Sequence, residues 1–371
     1  MAHAALRLLV LLVMSWAISE DRRRIHWRTV IAGVALQLAF AFLLIGVPAA
    51  NRALFVLHDA AEAVHRATET GTAFVFGYLA GPPLPFAEMH PGASFILAFQ
   101  ALPLVLTISA LASLLFHWGI LQRITGGFAW LLRRSTGVGG PLALGAAVHI
   151  FVGMIEAPLL VRPYLARMQR GELFALMTCG MAGVAGTVMV IYGSFLSPVV
   201  PNALGNILIA SVISTPAGLA AIIATLLVTV AMVTLLNMGL ARFPAWDGAP
   251  LTLQRLFALP FQPVLWLIGV PWAETGAAAA LMATKTVRNE FVAYLNFSQL
   301  PVDAFSPRTR MIPTYALCGF ANFGSLGIMT GGLGAMVPAR RHEIVELGMR
   351  SILSGTIATC MSGAVAGALM L

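Results

Sequence analysis

Leu121-Gln122-Arg123, then Trp130-Leu131, then Gly137-Val138: this order of landmarks occurs a second time as Leu253-Gln254-Arg255, Trp266-Leu267 and Gly269-Val270. Each copy continues to a carboxylate in a helix-and-break segment, Glu156 and Glu290, and then to a Cys-Gly step. The steps read Cys179-Gly180-Met181-Ala182 and Cys318-Gly319-Phe320-Ala321. The landmarks keep one order, and their offsets drift by only a few residues. A duplicated, very apolar unit with a matching acid in each copy is the mark of many secondary transporters, which bind substrate between the repeats near mid-bilayer.

Composition agrees with a membrane setting. Hydrophobic residues make up 59% of the chain and charged residues 10%, against roughly 25% charged in soluble domains. Mean hydropathy is +0.88. No Asp, Glu, Lys or Arg occurs from Leu173 to Ala241, whereas a spanning helix needs only about 20 apolar residues. The net charge of +8 does not point to nucleic acid, because the arginines sit at the ends of apolar segments, where they set orientation. Cys179, Cys318 and Cys360 lie in apolar segments without paired or metal-ligand spacing, so neither a disulfide framework nor a metal site is implied.

The fold class expected is an all-α polytopic membrane protein with about eight transmembrane helices and two re-entrant hairpins in inverted repeats. Residues 1–92 read as N-terminal spans plus an interfacial helix, and 93–371 as the core, with repeats at about 121–217 and 253–371. The apolar run Leu8 to Ile18 lacks a small-residue cleavage site, so it reads as a retained helix paired with Thr29 to Val47. Arg22, Arg23, Arg24 and Arg28 put the turn between them in the cytoplasm. Between Asn51 and Thr70 apolar and charged residues alternate at helical spacing, which predicts an amphipathic surface helix. A third span covers about Ser94 to Trp118.

Gly137 to Val161 has arginines on both sides, which favours a hairpin that returns to its own face, with Gly153 to Pro158 as its tip. Full spans are expected at Phe174 to Phe195 and Pro313 to Val337. The apolar stretch from Asn202 to Leu240, interrupted by Pro216, is barely long enough for two spans of about 20 residues.

Ionisable groups inside membrane segments are costly and functional by default. Glu156 and Glu290 occupy matching places beside expected helix breaks, where freed amides and half-helix dipoles bind ligands. Lys285, the only lysine, reads as a structural charge balancing a nearby acid, Glu274 included. His149 is either a packing group or a proton carrier. Asn322 and Ser325, three apart, would share one helical face. Phe320 reads as a core aromatic or as a stacking surface.

With these residues in view the chain resembles the concentrative nucleoside transporter family. The stretches that carry the resemblance are Glu156-Ala157-Pro158-Leu159-Leu160-Val161-Arg162-Pro163-Tyr164-Leu165, Thr284-Lys285-Thr286-Val287-Arg288-Asn289-Glu290-Phe291-Val292-Ala293-Tyr294, and Tyr315-Ala316-Leu317-Cys318-Gly319-Phe320-Ala321-Asn322-Phe323. They resemble, in order, that family's first hairpin, its second, and the following helix. The resemblance implies a homotrimer in the lipid bilayer of the cell inner membrane, each subunit moving a transport part as an elevator. It also implies that Glu290, Asn322 and Ser325 bond the ribose, that Glu156 and the hairpin tip face the base, and that Phe320 lines the pocket.

The chain departs from the family at three places. The usual Gly-Gln-Thr/Ser-Glu tip reads Gly153-Met154-Ile155-Glu156, which replaces two polar base contacts by apolar side chains. The positions matching the family's sodium ligands are His149 and Gly183, beside Val152 and Val184, leaving mainly carbonyl oxygens for a hard cation. The segment after Ser211 to Ala217 is also several tens of residues shorter. The expected activity is a nucleoside symporter coupled to protons rather than sodium, with His149 or Glu156 as the proton carrier, no cofactor and no enzymatic reaction. The alternatives are a cation-coupled carrier of a related solute and a non-transporting receptor or scaffold. An intramembrane hydrolase fits poorly: His342-Glu343 lacks a second zinc-binding His, and Ser325 lacks a Gly-x-Ser-x-Gly frame.

Overall fold

The computed structural model describes residues 2–18, 27–47, 63–81, 83–87, 94, 96–100, 102–149, 153–154, 156–197, 199–214, 236–243, 250–301 and 303–369. Among these residues there is no strand. Helices α1 (Ala2–Ile18) and α2 (Trp27–Ala41) are the apolar N-terminal pair. Residues 63–76 are the described part of α3. The arginine turn, the first part of the Asn51 to Thr70 segment and the Pro216 region lie outside the described residues. Helices α4 (Leu97–Gln100) and α5 (Leu102–His117) fill the expected third span.

The first repeat contains α6 (Ile120–Thr136), α7 (Gly140–His149), α8 (Glu156–Leu160), α9 (Arg162–Leu165), α10 (Arg170–Ala182), α11 (Gly186–Leu196) and α12 (Ala203–Ser214). The second contains α13 (Leu253–Ile268), α14 (Trp272–Val287), α15 (Glu290–Ser298), α16 (Pro307–Leu317), α17 (Phe323–Met336) and α18 (Arg341–Leu369). The paired Leu-Gln-Arg landmarks fall in the first turns of α6 and α13. Both helices end on a left-handed glycine, Gly137 at φ 73° and Gly269 at φ 115°. A side chain is strained in that conformation, and the glycine N–H closes the last turn on Arg133 O and Leu265 O. The recurrent Gly-Val step is therefore a helix terminator.

Two expected spans are not continuous. Phe174 to Phe195 is split into α10 and α11 at Gly183-Val184-Ala185, and Pro313 to Val337 into α16 and α17 at 318–322. Hydropathy alone reads both as unbroken because the breaks are themselves apolar. Pro338–Leu369, which includes α18, is long and apolar enough to cross a membrane. The neighbouring apolar elements are halved by the breaks.

Helix association in lipid gains little from apolar burial and relies on close packing and polar links. Helix α18 supplies the small residues. Its Gly355 lies against Met181 of α10, and Gly363 against the Ile312 carbonyl of α16. Thr178 Oγ1 and Ser354 Oγ lie 2.7 Å apart between α10 and α18, and Gln37 Nε2 of α2 donates to Ser362 Oγ at 3.3 Å. At one end, Arg340 Nη1 donates to the carbonyls of Leu165 and Met168 at 2.8 and 2.6 Å, and Arg340 Nε to Glu343 at 2.7 Å. One guanidinium thus ties the end of the first hairpin to the start of α18.

Candidate substrate and ion site

The two broken helices meet at their breaks. The Phe320 N–H donates to Gly183 O at 3.0 Å. Gly319 has room only for hydrogen, since a Cβ there would lie 2.9 Å from Met181 O and 2.7 Å from Thr359 Cγ2. The Cys-Gly-Phe-Ala landmark is therefore where one half of the duplication crosses the other.

Helix α14 leads into this region with Thr275, Ala278, Ala279 and all of Leu281 to Val287 buried. It ends at Arg288, and Asn289 caps α15 by accepting the Val292 N–H at 2.8 Å. That cap sets Glu290 in the first turn of α15, where the helix dipole favours a carboxylate. Glu290 is 3% exposed. Its Oε1 accepts from Tyr192 Oη at 2.8 Å, and its Oε2 accepts from Asn322 Nδ2 at 2.8 Å. Asn322 caps α17, its Oδ1 accepting the Ser325 N–H at 2.8 Å.

The three-residue spacing of Asn322 and Ser325 therefore reflects a cap, and not the shared helical face that the spacing suggests. Asn322 precedes the helix, so its amide is free to reach back to Glu290. The structure brings Glu290, Asn322, Ser325 and the buried Phe320 into one region, with the N-termini of α15 and α17 present. Tyr192 was missed in the sequence. A tyrosine with an acid partner from another segment leaves no local pattern; its one signal is a polar tip inside the charge-free stretch.

Lys285 is fully buried and donates to Ala316 O at 2.8 Å and Thr359 Oγ1 at 3.1 Å. It sits at the C-terminal end of the half-helix α16, where the dipole favours a cation. Glu274, the acid suggested as its partner, instead accepts from Ser306 N at 3.1 Å and Ser306 Oγ at 3.2 Å. Lys285 interacts electrostatically with Glu290 without bonding it.

His149, the last residue of α7, is fully buried, and neither ring nitrogen has a hydrogen-bond partner of good geometry among the described residues. Gly180 makes room for the imidazole: a Cβ there would lie 3.4 Å from His149 Cε1 and 2.7 Å from Met329 Cε. Gly183 and Val184 form the α10 to α11 break, and Gly183 O already accepts from Phe320. Met154 is 1% exposed at the first hairpin. Val152 and Ile155 lie outside the described residues, and Glu156 is described as the first residue of α8 but not in its side chain.

Chemically, the site offers a carboxylate held by two donors, with lone pairs left to accept hydroxyl protons. Comparison with known proteins identifies the family. The family described as Na+ dependent nucleoside transporter C-terminus matches residues 206–367, its N-terminus counterpart matches 6–79, and a nucleoside recognition (Gate) family matches 98–199. An uncharacterized transporter of Haemophilus influenzae is 35% identical over 98% of this chain and 96% of its own. Nucleoside permease NupC of Helicobacter pylori is 30% identical over 96% and 95%.

The structure of CNTnw in an inward-facing, substrate-bound state superposes with a TM-score of 0.88 at 32% identity, covering 100% of this chain and 97% of that one. A doubly substituted CNTnw in an outward-facing state gives 0.86 at 31% identity, covering 100% and 97%. These relatives are membrane transporters and not enzymes. The chain belongs to the concentrative nucleoside transporter family, whose members are cation-coupled.

Proposed function

We propose that this protein imports nucleosides across the cell inner membrane by symport with protons, working as a homotrimer whose transport parts move as elevators. The observation that carries the substrate reading is the Glu290 carboxylate, fixed by Tyr192 and Asn322 and still able to accept. A ribose diol supplies two hydroxyl donors to such a group. Ser325 and Phe320 complete the sugar end, and Glu156 with Met154 and Ile155 faces the base. The division into 1–92 and a transport core at 93–371, with repeats at about 121–217 and 253–371, belongs to the same proposal. The elevator reading is supported by the similarity to CNTnw in both inward- and outward-facing states.

The matched family is described as sodium-dependent, so proton coupling needs its own argument. Gly183 has no side-chain oxygen, and its carbonyl already accepts from Phe320. His149 offers nitrogen where a hard cation wants oxygen. Burial disfavours a charged imidazole, so His149 would carry a proton only in a state of the transport cycle in which water or a partner reaches it.

A second reading is favoured by Met154, whose buried apolar side chain replaces a polar base contact: the solute is a relative of the common nucleosides with a different base. A pH-sensitive dye sealed in proteoliposomes tests the coupling. Adding uridine or adenosine in sodium-free buffer should acidify the lumen, and His149→Ala should abolish the acidification. Nucleoside entry with no proton movement, or entry only with sodium, would refute proton coupling.

A further inference from the structure

We propose that Tyr192 is a positioning residue of the sugar site, holding the Glu290 carboxylate in the orientation in which it accepts from the ribose. The inference rests on Glu290 being the ribose acceptor. A carboxylate has about four lone-pair sites. Tyr192 Oη takes one on Oε1 and Asn322 Nδ2 takes one on Oε2, each at 2.8 Å. The donors come from different elements, one to each oxygen, which fixes the rotation of the group. The Glu290 main-chain N–H is a further donor to the same carboxylate, so about one of the four sites is left to accept a ribose hydroxyl.

Both partners are buried and held, the amide as the cap of α17 and the phenol by its packing. Tyr192 is 1% exposed, and its ring packs against Tyr294 at 4.9 Å and Phe291 at 6.2 Å between centroids. Tyr294 is itself anchored, its Oη donating to Thr314 O at 2.8 Å. The phenol therefore helps to set the orientation of the carboxylate. Tyr192 lies on α11, in the first repeat, whereas Glu290 opens α15 in the second. The carboxylate is held this way only while those two half-helices are docked, so a sugar site whose binding residues lie in the second repeat is oriented by a residue of the first.

Tyr192→Phe removes the O–H and keeps the ring with its stacking. The test is binding of uridine and of 2′,3′-dideoxyuridine to the purified full chain, wild type against Tyr192→Phe. Loss of the held orientation should forfeit about the worth of one ligand hydrogen bond to a charged acceptor, so the uridine Kd should rise about tenfold. The dideoxyuridine Kd should stay unchanged, which also shows the variant to be folded. Equal weakening of both ligands would reduce Tyr192 to a packing role, and unchanged uridine binding would remove any role; either overturns the proposal. If wild-type protein binds dideoxyuridine as tightly as uridine, the ribose reading of Glu290 has failed, and the proposal falls with it.

Discussion

The main-chain N–H of Phe320 donates to the carbonyl of Gly183 at 3.0 Å, so the break in one broken helix is fastened to the break in the other. The contact depends on the absence of side chains around it. A Cβ on Gly319 would lie within 2.9 Å of Met181 O and 3.1 Å of Ala182 C, both backbone atoms that cannot step aside. Gly319→Ala should therefore separate the breaks, lower the melting temperature in detergent and abolish uptake. Gly327→Ala, with nothing within 4 Å of the new methyl, should leave both unchanged. Equal behaviour of the two variants would contradict the packing described here.

Asn322 serves two partners at once, the Ser325 N–H through Oδ1 and Glu290 through Nδ2. Asn322→Asp keeps a good cap but sets a second carboxylate against Glu290. Two carboxylates in contact cannot both stay ionised, so one must take up a proton. The protonated acid then donates as the amide did. Uridine affinity of the variant relative to wild type should be poorest at alkaline pH and recover as pH falls. A titration of binding from pH 8 to pH 5 reads this directly, and a pH profile parallel to that of wild type would contradict it.

The buried ammonium of Lys285 has Thr359 Oγ1 as one of its acceptors. Thr359→Val strips that acceptor and should cost about 1 to 3 kcal/mol of stability. In a Lys285→Met background the same change should cost much less, because no buried charge is left short of a partner. The four melting curves of this double-mutant cycle check the claim. Additive losses would mean that the Lys285 to Thr359 contact is not an energetic link.

The duplication, the helical membrane class and an acid at the Glu290 helix start were legible in the chain because each leaves a local mark. The landmarks repeat, charges vanish for a long stretch, and an acid stands where acids are costly. The helix breaks at 183–185 and 318–322 were not legible. Gly183-Val184-Ala185 is as apolar as its flanks, and what stabilises the break is a hydrogen bond from Phe320, far away in sequence. The partners of Lys285 were hidden for a similar reason: a main-chain carbonyl has no residue type to betray it, so the eye goes to Glu274. Asn322 shows the limit of spacing arguments, since Asn-x-x-Ser fits a helical face and a cap equally well.

Accumulation of radiolabelled uridine in proteoliposomes tests the central claim most directly, with proton and sodium gradients imposed separately and Glu290→Gln as the comparison. The account predicts concentrative uptake under an inward proton gradient without sodium, and none in the Glu290→Gln protein. Uptake that requires sodium would contradict the coupling, and full uptake by Glu290→Gln would contradict the site.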